Sequence, residues 1–174
     1  MQKIFKILLS IILSVIAMVF ILLGTYIFVN IQGVIEPFKV GSPEAENKIL
    51  IASQGSDFKD NLLEMLVQEL KGENKYLYVV DCTKLGNEVF SDWDVIVIIH
   101  SAQIHKMPRE AELFLKRSID LSKVILVTTS GAGDEKIEVF EVDAISTASR
   151  ISKIYKVINW LIPKVESRLM KNIE

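Results

Sequence analysis

Three short segments of this sequence carry hydroxyl side chains, and the first and third also contain glycines, a combination that suits the binding of a small ligand. They run from Ser53 to Asp57, from Ser101 to Pro108 and from Thr128 to Gly133. Hydroxyls and backbone amides donate hydrogen bonds to ligand oxygens, and glycine lets the backbone approach a ligand closely. The candidate ligand-binding residues are Ser53, Gln54, Gly55, Ser56, Asp57, Ser101, Ala102, Gln103, Ile104, His105, Thr129, Ser130, Gly131 and Gly133.

Charge decides what the first of these segments can bind. It directly precedes a stretch with helical spacing, and the amides at a helix N-terminus favour an anion by up to about 2 kcal/mol. Asp57 opposes this effect, because a carboxylate beside a bound anion repels it by roughly a few kcal/mol in a partly buried site. The sequence therefore leaves two interpretations, an anion-binding loop or a loop without a ligand in which Asp57 caps the helix.

Composition disfavours several other kinds of site. The chain has one cysteine, Cys82, and two histidines, His100 and His105, too few for a disulfide framework or a Cys- or His-rich metal site. The net charge of −2 argues against a nucleic-acid-binding protein. A hydrolase or transferase is not favoured, because the sequence lacks a G-x-S-x-G nucleophile motif and a Walker A loop.

The segments between the candidate loops alternate between aliphatic runs and helical patterns. Four aliphatic runs predict buried strands, namely Lys48–Ala52, Tyr76–Asp81, Trp93–His100 and Lys123–Thr129. Leucines at helical spacing predict a helix after Asp57, and Pro108 marks the start of another. The pattern predicts an α/β three-layer sandwich with a mostly parallel sheet of four to five strands. In such a sheet the three loops meet at the carboxyl edge, where ligands bind.

Two further predictions concern the last part of the chain. Alternating polar and apolar residues over Lys136–Val142 predict a half-exposed fifth strand. Only Ser130–Glu135 separate it from the fourth strand, whereas a parallel crossover needs about a dozen residues, so we expect an antiparallel edge strand. A final helix is expected from about Ser146, with Pro163 kinking it or ending its first part.

The N-terminal part of the chain has the composition of a membrane anchor. Residues Ile7–Val29 carry no charge and would extend roughly 35 Å as a helix, enough to cross a bilayer. Lys3 and Lys6 precede this run, which places the N-terminus in the cytosol and the following domain outside it. A signal peptide is the alternative interpretation. The predicted organisation is an anchor at 1–30, a linker at 31–47 and one domain at 48–174.

Over about residues 48–134 the sequence resembles the flavodoxin-like family. Two stretches carry the resemblance. In the first, Trp93–Ser101 is similar to the family's D-x-[IV]-[IV]-x-G-[ST]-P, and the following Lys106–Leu115 is similar to its K-x-P and helix. The second stretch is Val124–Gly133. In that family the first loop, near T-x-T-G-x-T, binds the phosphate of FMN, and the other two loops flank the isoalloxazine ring. Here Gln54–Asp57 stand in place of T-G-x-T, so one or two of the phosphate-binding hydroxyls are missing.

The resemblance implies a membrane-anchored protein that binds FMN noncovalently and transfers electrons to or from a membrane or surface redox protein. The flavin would supply the oxidoreductase chemistry. No stacking aromatic is evident in the second loop, where His105 could hydrogen-bond a reduced flavin or lie exposed. The altered first loop favours the alternative, a flavodoxin-like domain that has lost FMN and serves as a membrane-tethered binding or scaffold module.

A second resemblance is local. Asp143–Ser149 is similar to the D-[GA]-x-[ST]-G-A-[ST] sequence at which extracytoplasmic flavoproteins carry FMN on the last hydroxyl, here Ser149. Thr147 replaces the glycine of that pattern. A helix N-terminus capped by Ser146 explains the same residues.

Overall fold

The chain divides into two units, Met1–Gln32 and Gly33–Glu174. They are described by a computed structural model for residues 2–30, 32–102, 106–118, 120–133 and 140–171. The first unit is helix α1, Gln2–Asn30. Its segment Gln2–Tyr26 has a mean hydropathy of 3.0, so it is long and apolar enough to cross a membrane. A signal sequence can have the same length and composition.

A six-stranded sheet organises the second unit. Its strands are β1 (Phe38–Val40), β2 (Asn47–Ser53), β3 (Lys75–Asp81), β4 (Val95–Ser101), β5 (Val124–Ser130) and β6 (Asp143–Ala148). They lie in the order β1-β3-β2-β4-β5-β6. Strands β2 to β6 pair in parallel, whereas β1 pairs antiparallel with β3. The five parallel strands therefore have the flavodoxin-type order 2-1-3-4-5 of a doubly wound sheet.

Helices cover both faces of this sheet and form the outer layers of the sandwich. They are α2 (Asp57–Leu70), α3 (Arg109–Arg117) and α4 (Ile154–Lys171). The apolar sides of α2 and α4 pack with alternate residues of the central strands in one buried cluster. The other residues of these strands pack against α3 and a short 3-10 helix, Cys82–Asn87, in a second cluster. The predicted α/β three-layer sandwich is confirmed.

The two edges of the sheet differ from the sequence expectations. The strand beside β5 is β6, which runs parallel to it, and Phe140–Val142 lie outside any strand. Residues 134–139 of the predicted fifth strand lie outside the described part of the chain. The antiparallel edge strand is β1, which belongs to the segment that we interpreted as a linker. Residues 131–142 supply the dozen or so positions that a parallel crossover to β6 requires.

Two helix starts differ from expectation, and one of the two alternatives for Pro163, an end of the helix, is wrong. Ser56, not Asp57, is the N-cap of α2, and its Oγ accepts a hydrogen bond from the Lys59 amide at 3.4 Å. Ser146 lies inside β6 rather than at a helix start, and α4 begins at Ile154. Pro163 does not end α4, which continues through it to Lys171. By contrast, α3 begins directly after Pro108, as predicted.

Candidate functional site

The candidate site lies at the carboxyl edge of the sheet, where β2 and β4 are neighbours. The chain leaves β2 toward β3 on one side and later returns to β4 on the other, so this pair marks the switch point of the strand order. The loops that follow β2, β4 and β5 converge here. The Ser101 amide donates a hydrogen bond to Gln54 Oε1 at 2.7 Å, and the Ala102 amide donates to the Thr129 carbonyl at 2.9 Å. The structure thus brings together residues from all three predicted loops.

The loop after β2 is closed by the chain's own backbone. The Gly55 amide donates to the Gly33 carbonyl at 2.8 Å, and the Gly33 amide donates to the Gly55 carbonyl at 2.9 Å. The two backbones lie so close that a Cβ on Gly55 would come within 2.8 Å of the Gly33 carbonyl carbon. Nearby, Asp81 Oδ2 accepts a hydrogen bond from the Ile35 amide at 2.9 Å. The segment that starts at Gly33 therefore occupies the Gly55 amide, which could otherwise face a ligand.

The two serines of this loop also have internal partners. Ser53 is fully buried, and its Oγ donates to the Gln54 carbonyl at 3.1 Å. The Ser56 amide donates to Asp60 Oδ1 at 3.4 Å, and Asp57 is exposed in the first turn of α2. Two carboxylates at a helix N-terminus already complement its dipole. As it stands, the loop fits a phosphate group poorly, because Gly55 is bonded and the first turn is acidic.

Beneath the loops lies a buried cationic side chain that the sequence analysis did not identify. Lys59 is 1% exposed, and its Nζ donates to Ser101 Oγ at 2.8 Å. Ser101 Oγ lies 3.1 Å from Thr129 Oγ1, which donates to the His100 carbonyl at 3.3 Å. Burial lowers the pKa of Lys59 to about 8, an effect partly offset by nearby acidic groups including Asp60.

A sequence signal for this lysine does exist. Lys59, Leu62, Leu63 and Leu66 recur at helical spacing on the buried face of α2, so the lysine occupies a position of the apolar stripe. Lysine is almost never fully buried unless its charge has a partner. A lysine within such a stripe therefore predicts a polar contact inside the fold.

His100 is a fully buried histidine at the end of β4. Its Nε2 lies 3.2 Å from Thr128 Oγ1, and its Nδ1 lies 3.2 Å from the Ser101 carbonyl. These distances fit a neutral ring that accepts a hydrogen bond from Thr128 and donates one to the carbonyl. Burial lowers the pKa of His100 to about 4, so the ring stays neutral at physiological pH.

The loop after β5 folds back on the end of β6. The Gly133 amide donates to Ser130 Oγ at 2.8 Å, and the Ser149 amide donates to the Ser130 carbonyl at 3.2 Å. Gly133 has a φ of +82°, and a Cβ there would meet the Ala148 amide nitrogen at 2.2 Å. This turn therefore serves the packing of β6, while Gly131 is exposed with open space around its Cα.

The remaining candidate residues are only partly described. Gln103, Ile104 and His105 lie outside the described residues. Cys82 is buried at the end of β3, where its Sγ donates to the Ile99 carbonyl at 3.8 Å. Burial raises its pKa far above the ordinary range, so the thiol stays protonated and packs as a small apolar side chain. Asp143–Ala148 pair with β5 as strand β6, so this segment is not a helix N-terminus, and Ser149 lies exposed directly after it.

Comparison with known proteins identifies the fold but no family. No protein-family model matches the sequence, and no curated protein shows significant similarity to it. The chain is similar in structure to an oxidoreductase from Corynebacterium diphtheriae, with a TM-score of 0.50 and 12% identity over 72% of this chain and 97% of that one. It also overlaps 34% of translation elongation factor SelB from Methanococcus maripaludis, with a TM-score of 0.42 and 16% identity over 70% of this chain. The first similarity supports the α/β fold alone.

Proposed function

We propose that this chain is a membrane-anchored, flavodoxin-like binding or scaffold module that does not carry FMN. The observation behind the proposal is the pair of hydrogen bonds between Gly33 and Gly55, which engages the loop amide that a phosphate would need. A phosphate bound there would have to break this pair and lie beside the carboxylates of Asp57 and Asp60. Both requirements weaken binding, and the backbone of α2 offsets them by at most about 2 kcal/mol.

A second candidate, the FMN-dependent electron carrier, has one observation in its favour. Lys59 is a cation at the switch point that donates to Ser101 Oγ, and this hydroxyl in turn lies beside Thr129 Oγ1. Such donors could face the polar edge of a flavin at the second and third loops. The fold similarity to an oxidoreductase is compatible with this candidate but assigns no residue a role, because only 12% of the aligned positions are identical.

Titration with FMN separates the two candidates. The full chain, purified in mild detergent, is added to FMN, and quenching of flavin fluorescence and the visible spectrum are recorded. We expect no saturable quenching and no gain in thermal stability at excess FMN. Saturable quenching by FMN that is at least tenfold stronger than quenching by riboflavin would contradict the proposal, because the difference reports a bound phosphate.

A matched pair of variants tests the electrostatic part of this reasoning. Asp57→Asn removes a charge from the first turn of α2, whereas Glu64→Gln removes an exposed charge from the middle of the same helix. If FMN binds at all, only Asp57→Asn should tighten it. Equal effects of the two variants would show that the phosphate does not lie at this helix terminus.

Membrane anchoring by α1 is part of the proposal. The helix would remain in the membrane uncleaved, with Lys3 and Lys6 in the cytosol and the sheet domain on the extracytoplasmic side. We expect the protein to resist extraction by alkaline carbonate and to keep its N-terminal residues by mass spectrometry. Protease added to intact cells should digest the domain. Digestion only after permeabilisation would reverse the topology, and loss of the N-terminal segment would identify a signal peptide.

A further inference from the structure

The cluster of Lys59, Ser101 and Thr129 has a geometry that a binding module does not require. Lys59 Nζ lies 2.8 Å from Ser101 Oγ, a separation at which a base can accept a proton from a nucleophile. Thr129 is fully buried and Lys59 nearly so, whereas Ser101 is only half-buried. Ser101 is therefore the least buried member of the cluster.

Hydrogen-bond directions orient the serine. Thr129 Oγ1 donates to the His100 carbonyl, so while Lys59 is protonated the hydroxyl of Ser101 can donate to Thr129 and accept from Lys59. When Lys59 is neutral, the same hydroxyl can donate to Lys59 Nζ instead. The Ser101 amide is held by Gln54 and the Ala102 amide by the Thr129 carbonyl. These contacts position the serine at the end of β4 through both its backbone and its side chain.

We propose that Ser101 is a nucleophile that accepts an acyl group from a carboxylic ester, with Lys59 as its general base. The proposal goes beyond the binding role inferred above and does not depend on it. No G-x-S-x-G motif is needed, because the fold rather than the sequence spacing brings the serine and its base together. Lysine serves as the base in other serine acyl-transfer sites of unrelated fold.

The reaction would take place in two balanced steps. In the first, Ser101 Oγ forms a bond to the carbonyl carbon, and its proton moves to neutral Lys59 Nζ. The ammonium so formed is the cation next to the tetrahedral oxyanion. The bond to the leaving alkoxide then breaks, and Lys59 returns the proton to it as the alcohol departs. In the second step water attacks the Ser101 ester by the same proton transfers and releases the carboxylic acid.

Only a neutral amine can act as this base, and burial of Lys59 makes one accessible. With a pKa of about 8, roughly a tenth of Lys59 is neutral at pH 7 and roughly nine-tenths at pH 9. The rate of acylation should therefore rise about tenfold per pH unit below pH 8 and level off above it. A merely structural hydrogen bond would produce no such profile.

Labelling with an alkyl fluorophosphonate tests the proposal on the full chain in detergent. We expect displacement of fluoride and an adduct mapped to Ser101 by peptide mass spectrometry, with the pH profile given above. Lys59→Met should slow labelling by at least 100-fold, and Lys59→Arg should not restore it, because arginine stays protonated. Ser118→Ala is the matched control, since Ser118 is a half-buried serine after α3 whose Oγ donates to the Phe114 carbonyl, and its loss should not affect labelling.

A cysteine variant keeps the test decisive if Lys59 variants fail to fold. The thiol of Ser101→Cys should react with iodoacetamide with an apparent pKa below the ordinary value of about 8.5, because the lysine ammonium stabilises the thiolate. Buried Cys82 should stay unmodified as the internal reference. Alkylation of Ser101→Cys without any fluorophosphonate adduct on the wild-type chain at pH 9 would overturn the proposal. Failure of both reagents to react would overturn it as well.

Discussion

Substitution of Gly55 by alanine should open the loop after β2, and substitution of Gly33 should not. A Cβ on Gly55 would lie 2.8 Å from the carbonyl carbon and 3.0 Å from the Cα and the oxygen of Gly33. All three are backbone atoms, so the two segments must separate. The same atom on Gly33 would approach Gly55 no closer than 3.4 Å, which is an ordinary contact. Each variant therefore adds one methyl group, and the two variants place it on opposite sides of the same backbone contact.

The expected loss follows from the two hydrogen bonds. Each backbone hydrogen bond contributes about 1 kcal/mol net, so Gly55→Ala should lower the free energy of unfolding by about 1–3 kcal/mol. Gly33→Ala should stay within about 0.5 kcal/mol of the wild type, since reduced chain entropy in the unfolded state partly compensates any strain. At about 2–4 °C per kcal/mol for a unit of this size, the melting temperatures should differ by several degrees.

Circular dichroism during heating measures this difference, and hydrogen exchange locates it. In the wild type the amides of Gly33 and Gly55 should exchange slowly, and in Gly55→Ala the Gly33 amide should exchange at the rate of an open loop. Equal melting temperatures of the two variants, or retained protection of the Gly33 amide in Gly55→Ala, would refute the backbone closure.

Three further predictions concern titration and helix geometry. The folded state holds the pKa of His100 near 4, below the unfolded value of about 6.5. The free energy of unfolding should therefore fall as the pH decreases between these values, by up to about 1.4 kcal/mol per pH unit. In urea titrations, His100→Gln should flatten that decline. Lys164 and Arg168 hold the pKa of Asp143 below its usual range, so above pH 4 Asp143→Asn should lower the free energy of unfolding by about 0.5–1 kcal/mol. Denaturation curves should show this loss disappearing at lower pH and becoming smaller in high salt. Pro163→Ala restores an amide inside α4 and should raise the free energy of unfolding by about 1–3 kcal/mol; an unchanged or lower melting temperature would show that the helix needs the proline.

Local patterns in the sequence were enough to find the elements that carry the site. Buried strands read as unbroken aliphatic runs, so the positions of β2 to β5 and of the loops that follow them were predicted closely. The layered α/β architecture followed from the alternation of these runs with helical spacing. Strand β6 was missed, because Asp143–Ala148 is only partly buried and lacks an aliphatic run. The interpretation of Asp57 as a cap was wrong by one residue. Aspartate and serine cap helices about equally well, so the sequence could not choose between them, and it is Ser56 that has the extended backbone and accepts from the Lys59 amide.

Contacts between distant segments were decided only by the folded chain. Strand β1 and the closure of Gly55 by Gly33 depend on backbone pairing, which leaves no trace in side-chain periodicity. The proximity of Lys59 to Ser101 depends on the order of the strands, because that order places the start of α2 beside the end of β4. Apolar spacing determines which face of each segment is buried, whereas the pairing of segments depends on how the whole sheet assembles. The arrangement of polar groups at the carboxyl edge therefore rests on tertiary structure.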